Sequence, residues 1–95
     1  MQITFQPEPT YIETFVDGRT NRDYLPDGCV KIAMYFWDHR DAEISAEQLI
    51  KVSQKSRRQF KTYMALLRVI FNNYGFEIIG YHNRGTYRLV KKAKT

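Results

Sequence analysis

Residues 45–60 read Ser45-Ala46-Glu47-Gln48-Leu49-Ile50-Lys51-Val52-Ser53-Gln54-Lys55-Ser56-Arg57-Arg58-Gln59-Phe60. Ser45 and Ser56 each stand three residues before a glutamine, the pattern of a capping box. In it the hydroxyl accepts from the backbone N–H three residues on, and the glutamine reaches back. One helix therefore starts at Ala46, carries Leu49, Ile50 and Val52 on its apolar stripe, and lasts about two turns before Ser53-Gln54-Lys55-Ser56. The next opens after Ser56 and sets Phe60, Met64, Leu67 and Phe71 at i, i+4, i+7 and i+11. Asn72-Asn73-Tyr74-Gly75 ends it, with glycine where left-handed backbone is tolerated. Two capped helices on a short turn make a helix-turn-helix.

Beyond Gly75 the apolar period changes to two. Phe76 to Tyr81 and Thr86 to Val90 read as strands, with His82-Asn83-Arg84-Gly85 as the turn between them. This hairpin would be a wing, followed by Lys91-Lys92-Ala93-Lys94-Thr95 as a frayed basic tail.

On the N-terminal side, Cys29 to Trp37 fits two templates. Val30, Ile32, Met34 and Phe36 alternate with Lys31, Ala33, Tyr35 and Trp37 as in a strand. Cys29, Ala33 and Trp37, and equally Val30, Met34 and Trp37, also recur at helical spacing. The two helices that follow tip the choice to helix. Earlier still, Gln2 to Phe5 and Tyr11 to Val16 are rich in strand-forming residues, and Pro7 and Pro9 between them cannot donate to a central ladder. Asp17-Gly18 signals a tight hairpin, the next strand runs from Arg19 towards Leu25, and Pro26-Asp27-Gly28 punctuates the chain.

Ninety-five residues suit one domain with its own core, but not a deep cleft between lobes. A hydrophobic share of 43% and an aromatic share of 15% argue against pervasive disorder. Cys29 is the single cysteine and no Cys/His set has zinc spacing, so a reducing, cytoplasmic setting is expected. No apolar run approaches a membrane span, and Met1 to Phe15 has neither a charged leader nor an apolar core, so no membrane anchoring or export is expected.

Charge is segregated along the chain. Residues 1–48 hold four Lys/Arg against nine Asp/Glu, a net −5, whereas residues 49–95 hold eleven against Glu77 alone, a net +10. Such a dipolar molecule presents one cationic surface suited to a polyanion, although a solvated basic face without a partner would carry the same charge.

The order of elements resembles the DNA-binding domain of response regulators of the OmpR/PhoB type. The likeness spans about Phe15 to Val90. It is carried by Ile44-Ser45-Ala46-Glu47-Gln48-Leu49 for the second helix, Arg58-Gln59-Phe60-Lys61-Thr62-Tyr63-Met64-Ala65-Leu66-Leu67-Arg68 for the third, and Arg84-Gly85-Thr86-Tyr87-Arg88-Leu89 for the wing. It favours a helix from Gly28 to His39. The implied fold is α+β: a winged helix-turn-helix with an N-terminal antiparallel sheet (1–27), a three-helix core (28–75), a C-terminal β-hairpin wing (76–90) and a basic tail (91–95), all in one domain. The resemblance also implies a third helix in the major groove and a wing tip at the adjacent minor groove. Arg58 and Gln59 match positions that touch phosphate, Lys61 a base-reading position, Tyr63 and Arg68 further backbone contacts, and Tyr87 the wing tyrosine on phosphate. The chain departs from the family at Leu66, where many members carry a base-reading Arg, and at Ala65, where a polar or basic residue is common. It also has Gly85-Thr86-Tyr87 where Gly-x-Gly-Tyr is usual. No receiver domain is present, so control by phosphorylation is not expected.

At about 100° per residue, Arg57, Lys61 and Arg68 fall largely away from the Phe60, Met64 and Leu67 stripe, and long cations there reach phosphates or the guanine N7 and O6. Thr62 on this helix and Lys55 just before it complete the expected DNA-binding set there, with Asn83, Arg84 and Tyr87 on the wing. Gln59 serves either an adenine or only the capping box. Tyr63 is better suited to packing than to DNA contact, and Arg84 is either a minor-groove arginine or an exposed turn residue without a partner. Asp38-His39-Arg40-Asp41 with Glu43 reads as a solvated loop rather than a metal or acid–base cluster, and Cys29 as structural. No enzyme, cofactor or metal is expected.

The expected function is a sequence-specific double-stranded DNA-binding transcriptional regulator, acting by occupying a site or contacting RNA polymerase, with a homodimer on DNA left open. The rival is a protein–protein interaction module, such as an adaptor or modulator of a transcription or phage/host complex, using the aromatic-rich N-terminal sheet. Single-stranded nucleic-acid binding would need exposed stacking aromatics.

Overall fold

The computed structural model describes residues 2–7 and 10–92. Strands β1 (Gln2–Pro7), β2 (Thr10–Val16) and β3 (Arg19–Tyr24) form an antiparallel sheet in that order. Asp17 and Gly18 have φ of 51° and 77°, the positive pair that a type I′ turn requires, and they set Val16 opposite Arg19. Pro7 lies on the edge strand, where its missing N–H need not remove a ladder bond. Pro9, expected between strands, lies outside the described residues.

Helix α1 (Asp27–Asp38) settles the ambiguous window in favour of helix. Cys29, Ile32, Ala33 and Phe36 are all buried, at i, i+3, i+4 and i+7, so the helical period wins over the alternating one. Pro26-Asp27-Gly28 starts the helix, with Pro26 accepting from Cys29 and Val30 through its carbonyl. Gly28 serves close packing: a Cβ there would stand 2.9 Å from Lys55 Cγ and 3.1 Å from the Ser53 carbonyl.

The segment expected as a solvated loop up to Glu43 is shorter than that. Glu43–Ser45 forms a strand, β4, pairing with the C-terminal hairpin and burying Ile44. Three residues are too few to display a period, so the pairing partner decides the conformation. Helix α2 (Ala46–Ser53) and helix α3 (Arg57–Asn73) follow as the spacing predicts. Ser56 and Gln59 complete the reciprocal capping box, whereas at Ser45 the hydroxyl accepts from Gln48 N–H without the reciprocal bond.

Strands β5 (Phe76–Tyr81) and β6 (Thr86–Lys91) form the C-terminal hairpin, and the second sheet has the order β4-β6-β5. Lys91 therefore belongs to a strand, and of the expected basic tail residues 93–95 lie outside the described residues. The core combines Ile12, Val30, Ile32, Phe36, Leu49, Leu67, Phe71 and Leu89, so both sheets and all three helices share it. Tyr74 joins the N-terminal sheet to the helical core: its hydroxyl donates to Asp23 and accepts from Asn21 Nδ2, tying β3 to the end of α3. The described residues thus form an α+β unit of three helices and two small antiparallel sheets. No helix among the described residues is long and apolar enough to cross a membrane.

Candidate functional site

Helix α3 buries Phe60, Tyr63, Met64, Leu67, Ile70 and Phe71. The arc opposite this face, counted at about 100° per residue, centres on Arg58, Thr62, Ala65 and Val69, all exposed. Arg57 and Lys61 lie on the flank of that arc, also exposed, and Lys55 stands just before the helix. None of Lys55, Arg57, Arg58 and Lys61 pairs with a carboxylate among the described residues. Four cations thus gather at the N-terminal end of a 17-residue helix whose first turn contains no acid. The helix dipole is positive at that end, so like charges gather there without a compensating acid.

The other expected residues on α3 are used in three different ways. Gln59 is used by the capping box, through its Oε1 and the Ser56 N–H at 3.4 Å. Tyr63 is only 6% exposed and belongs to the core, as the packing alternative requires. Arg68 stands apart from the N-terminal cations: its Nη1 donates to the Ile78 carbonyl at 2.7 Å, bracing α3 against β5. Gly80 makes room for this brace, since a Cβ there would stand 3.4 Å from Arg68 Nη2 and 3.3 Å from the Tyr87 ring.

On the hairpin, Tyr87 is half-buried with its ring edge-on to Phe60 at 5.9 Å between centroids, joining β6 to the start of α3. Asn83 and Arg84 are exposed in the turn. Arg84 does have a partner: its Nε donates to Glu43 Oε1 at 2.8 Å, and its guanidinium lies 4.5 Å from the Tyr81 ring centroid. Glu43 also accepts from the Thr86 hydroxyl. That hydroxyl, and then Arg84, hold the Glu43 carboxyl below the usual glutamate range. Sequence reasoning missed Glu43 and Tyr81 here. The bond joins residues 41 positions apart and depends on the β4–β6 pairing.

Leu66 and Val69 are exposed, Val69 at 62%, so the outer α3 surface beyond Lys61 carries apolar side chains alongside the exposed Asn72 and Asn73. On the outer face of the N-terminal sheet, Tyr24 and Phe15 are also exposed, Tyr11 lies 5.5 Å from Tyr24, and Arg22 pairs with Glu13. Cys29 is fully buried, and that burial pushes its thiol up to about 12. Among the described residues no group of three or more His, Cys, Asp or Glu is placed to hold a metal ion. Comparison with known proteins returns no match: neither a family model, nor a curated protein, nor a solved structure is detectably similar to the chain.

Proposed function

We propose that the protein is a sequence-specific double-stranded DNA-binding regulator of transcription with a winged helix-turn-helix fold. In this reading α2 and α3 are the helix-turn-helix, α3 enters the major groove and the β5–β6 hairpin is the wing beside it. The observation that carries it is the cluster of Lys55, Arg57, Arg58 and Lys61, without carboxylate partners among the described residues, at the positive end of a helix whose outer face is exposed. Phosphates neutralise all of these charges at once, with release of counterions as the driving force. Farther along α3, Ala65, Leu66 and Val69 suit thymine methyl groups better than hydrogen-bonded base edges, so the reading predicts specificity weighted towards apolar and shape contacts. The role is non-catalytic: the two groups discussed above with displaced proton affinities, Glu43 and Cys29, are engaged in a clamp and in the core.

The test is selection of bound duplexes from a random pool, followed by charge reversal. Enriched sequences are expected, with Arg57→Glu and Lys61→Glu each weakening binding by about tenfold, while Lys31→Glu on α1 has a small effect. Absence of enrichment at low salt, together with capture of a protein partner, would replace this reading with the interaction module. Exposure of Val69 on α3 and of Tyr24 on the outer sheet face favours that second reading.

A further inference from the structure

Strand β4 carries Glu43 to the hairpin turn, and three contacts meet there. Glu43 Oε1 accepts from Arg84 Nε at 2.8 Å and from the Thr86 hydroxyl, while the Gly85 carbonyl accepts from Ala46 N–H at 2.9 Å. The turn is thereby tied to the first residue of α2. The Arg84 guanidinium is held on one edge by the carboxylate and over one face by Tyr81. Only Nε is used: Nη1 and Nη2 make no hydrogen bond among the described residues, and the side chain is 53% exposed. An arginine held in this way keeps its two Nη donors available, with less rotamer freedom left to lose when it binds.

We propose that Glu43 is a positioning residue of the DNA-binding surface, orienting Arg84 so that its Nη pair forms a fixed two-donor fork towards the duplex beside α3. The inference rests on the DNA-binding reading above. It makes a prediction of unusual sign. By charge alone, a carboxylate close to a phosphate-contacting arginine repels DNA, so its removal should tighten binding. Orientation requires the reverse, because an arginine freed from Glu43 must be ordered again at each binding event.

The test measures dissociation constants for one labelled duplex with the wild-type chain, Glu43→Ala, Glu43→Gln, Arg84→Ala and the Glu43→Ala/Arg84→Ala double variant. Thermal unfolding of each variant serves as the control for folding. Glu43→Ala is expected to weaken binding by about threefold to tenfold despite its more positive charge. Glu43→Gln, which keeps an acceptor oxygen for Nε, should recover most of that loss, and in the Arg84→Ala background Glu43→Ala should no longer weaken binding. A mere contribution to folding would lower affinity in both backgrounds. Nitrogen relaxation at Arg84 Nε in the free protein gives a second readout, with order in the wild type that is lost in Glu43→Ala. The proposal is overturned if Glu43→Ala binds as tightly as the wild type, or if Arg84 Nε is already as mobile as those of Arg57 and Arg58. A wild-type chain that binds no duplex at low salt overturns the DNA reading itself, which distinguishes the two failures.

Discussion

Arg68 illustrates how side-chain chemistry and position part company. By helical arithmetic it shares a flank with Arg57 and Lys61, yet its guanidinium reaches back to the Ile78 carbonyl. Replacing it with Ala removes a charge-assisted bond and should lower stability by about 1.5–3 kcal/mol in denaturant unfolding. Duplex affinity should fall less than with Lys61→Glu. Equal losses of affinity would return Arg68 to the DNA-contacting set. Cys29 gives a second expectation at this scale. Burial holds its thiol neutral up to about 12, against an ordinary 9.0, so the native chain should resist thiol reagents at neutral pH and react only on unfolding. The sign for stability follows. The unfolded chain loses this proton first, so the contribution is complete below about 9 and declines as pH rises towards 12. Comparing denaturant midpoints of wild type and Cys29→Ala at pH 8 and 10.5 isolates it, with the wild type losing relatively more at the higher pH.

At the scale of elements, the capping serines are not equivalent. Ser56 shares a reciprocal box with Gln59, whereas Ser45 accepts one bond only. Ser56→Ala should therefore cost about 1 kcal/mol, and Ser45→Ala less, by urea unfolding. Equal losses would show that the reciprocal bond adds nothing. These helix starts were legible because caps and apolar periods are local signals, as was the Asp17-Gly18 turn. Strand β4 was not legible: Glu43-Ile44-Ser45 becomes a strand only through residues 86–88, far along the chain. The Glu43–Arg84 clamp inherits that non-locality. Arg84 was named from the sequence as a turn residue, but its partner required the register of the second sheet. The window 29–37 lay between these cases. Its alternating and helical patterns coexist in the sequence, and packing against both sheets and two helices decided for α1.

At the scale of the whole molecule, charge and architecture reinforce one another. The acidic first half builds the N-terminal sheet, α1 and β4, and the basic second half supplies α3 and the C-terminal hairpin. The two halves share one core, so Leu67→Ala, at a fully buried position within it, should cost about 2–5 kcal/mol. A single cooperative transition, with sheet and helix signals lost together, is the expected mode of unfolding. At dimensions of 40 × 35 × 19 Å, the molecule is long enough to follow a duplex for about one helical turn. The most direct test of the proposed function is the dependence of duplex affinity on salt. With Lys55, Arg57, Arg58, Lys61 and Arg84 as the contacting cations, the logarithm of the association constant should fall linearly with the logarithm of salt concentration, with a slope of about −4.5, reduced in magnitude by about one unit in Lys61→Ala. A slope near zero, or one unchanged by Lys61→Ala, would contradict it.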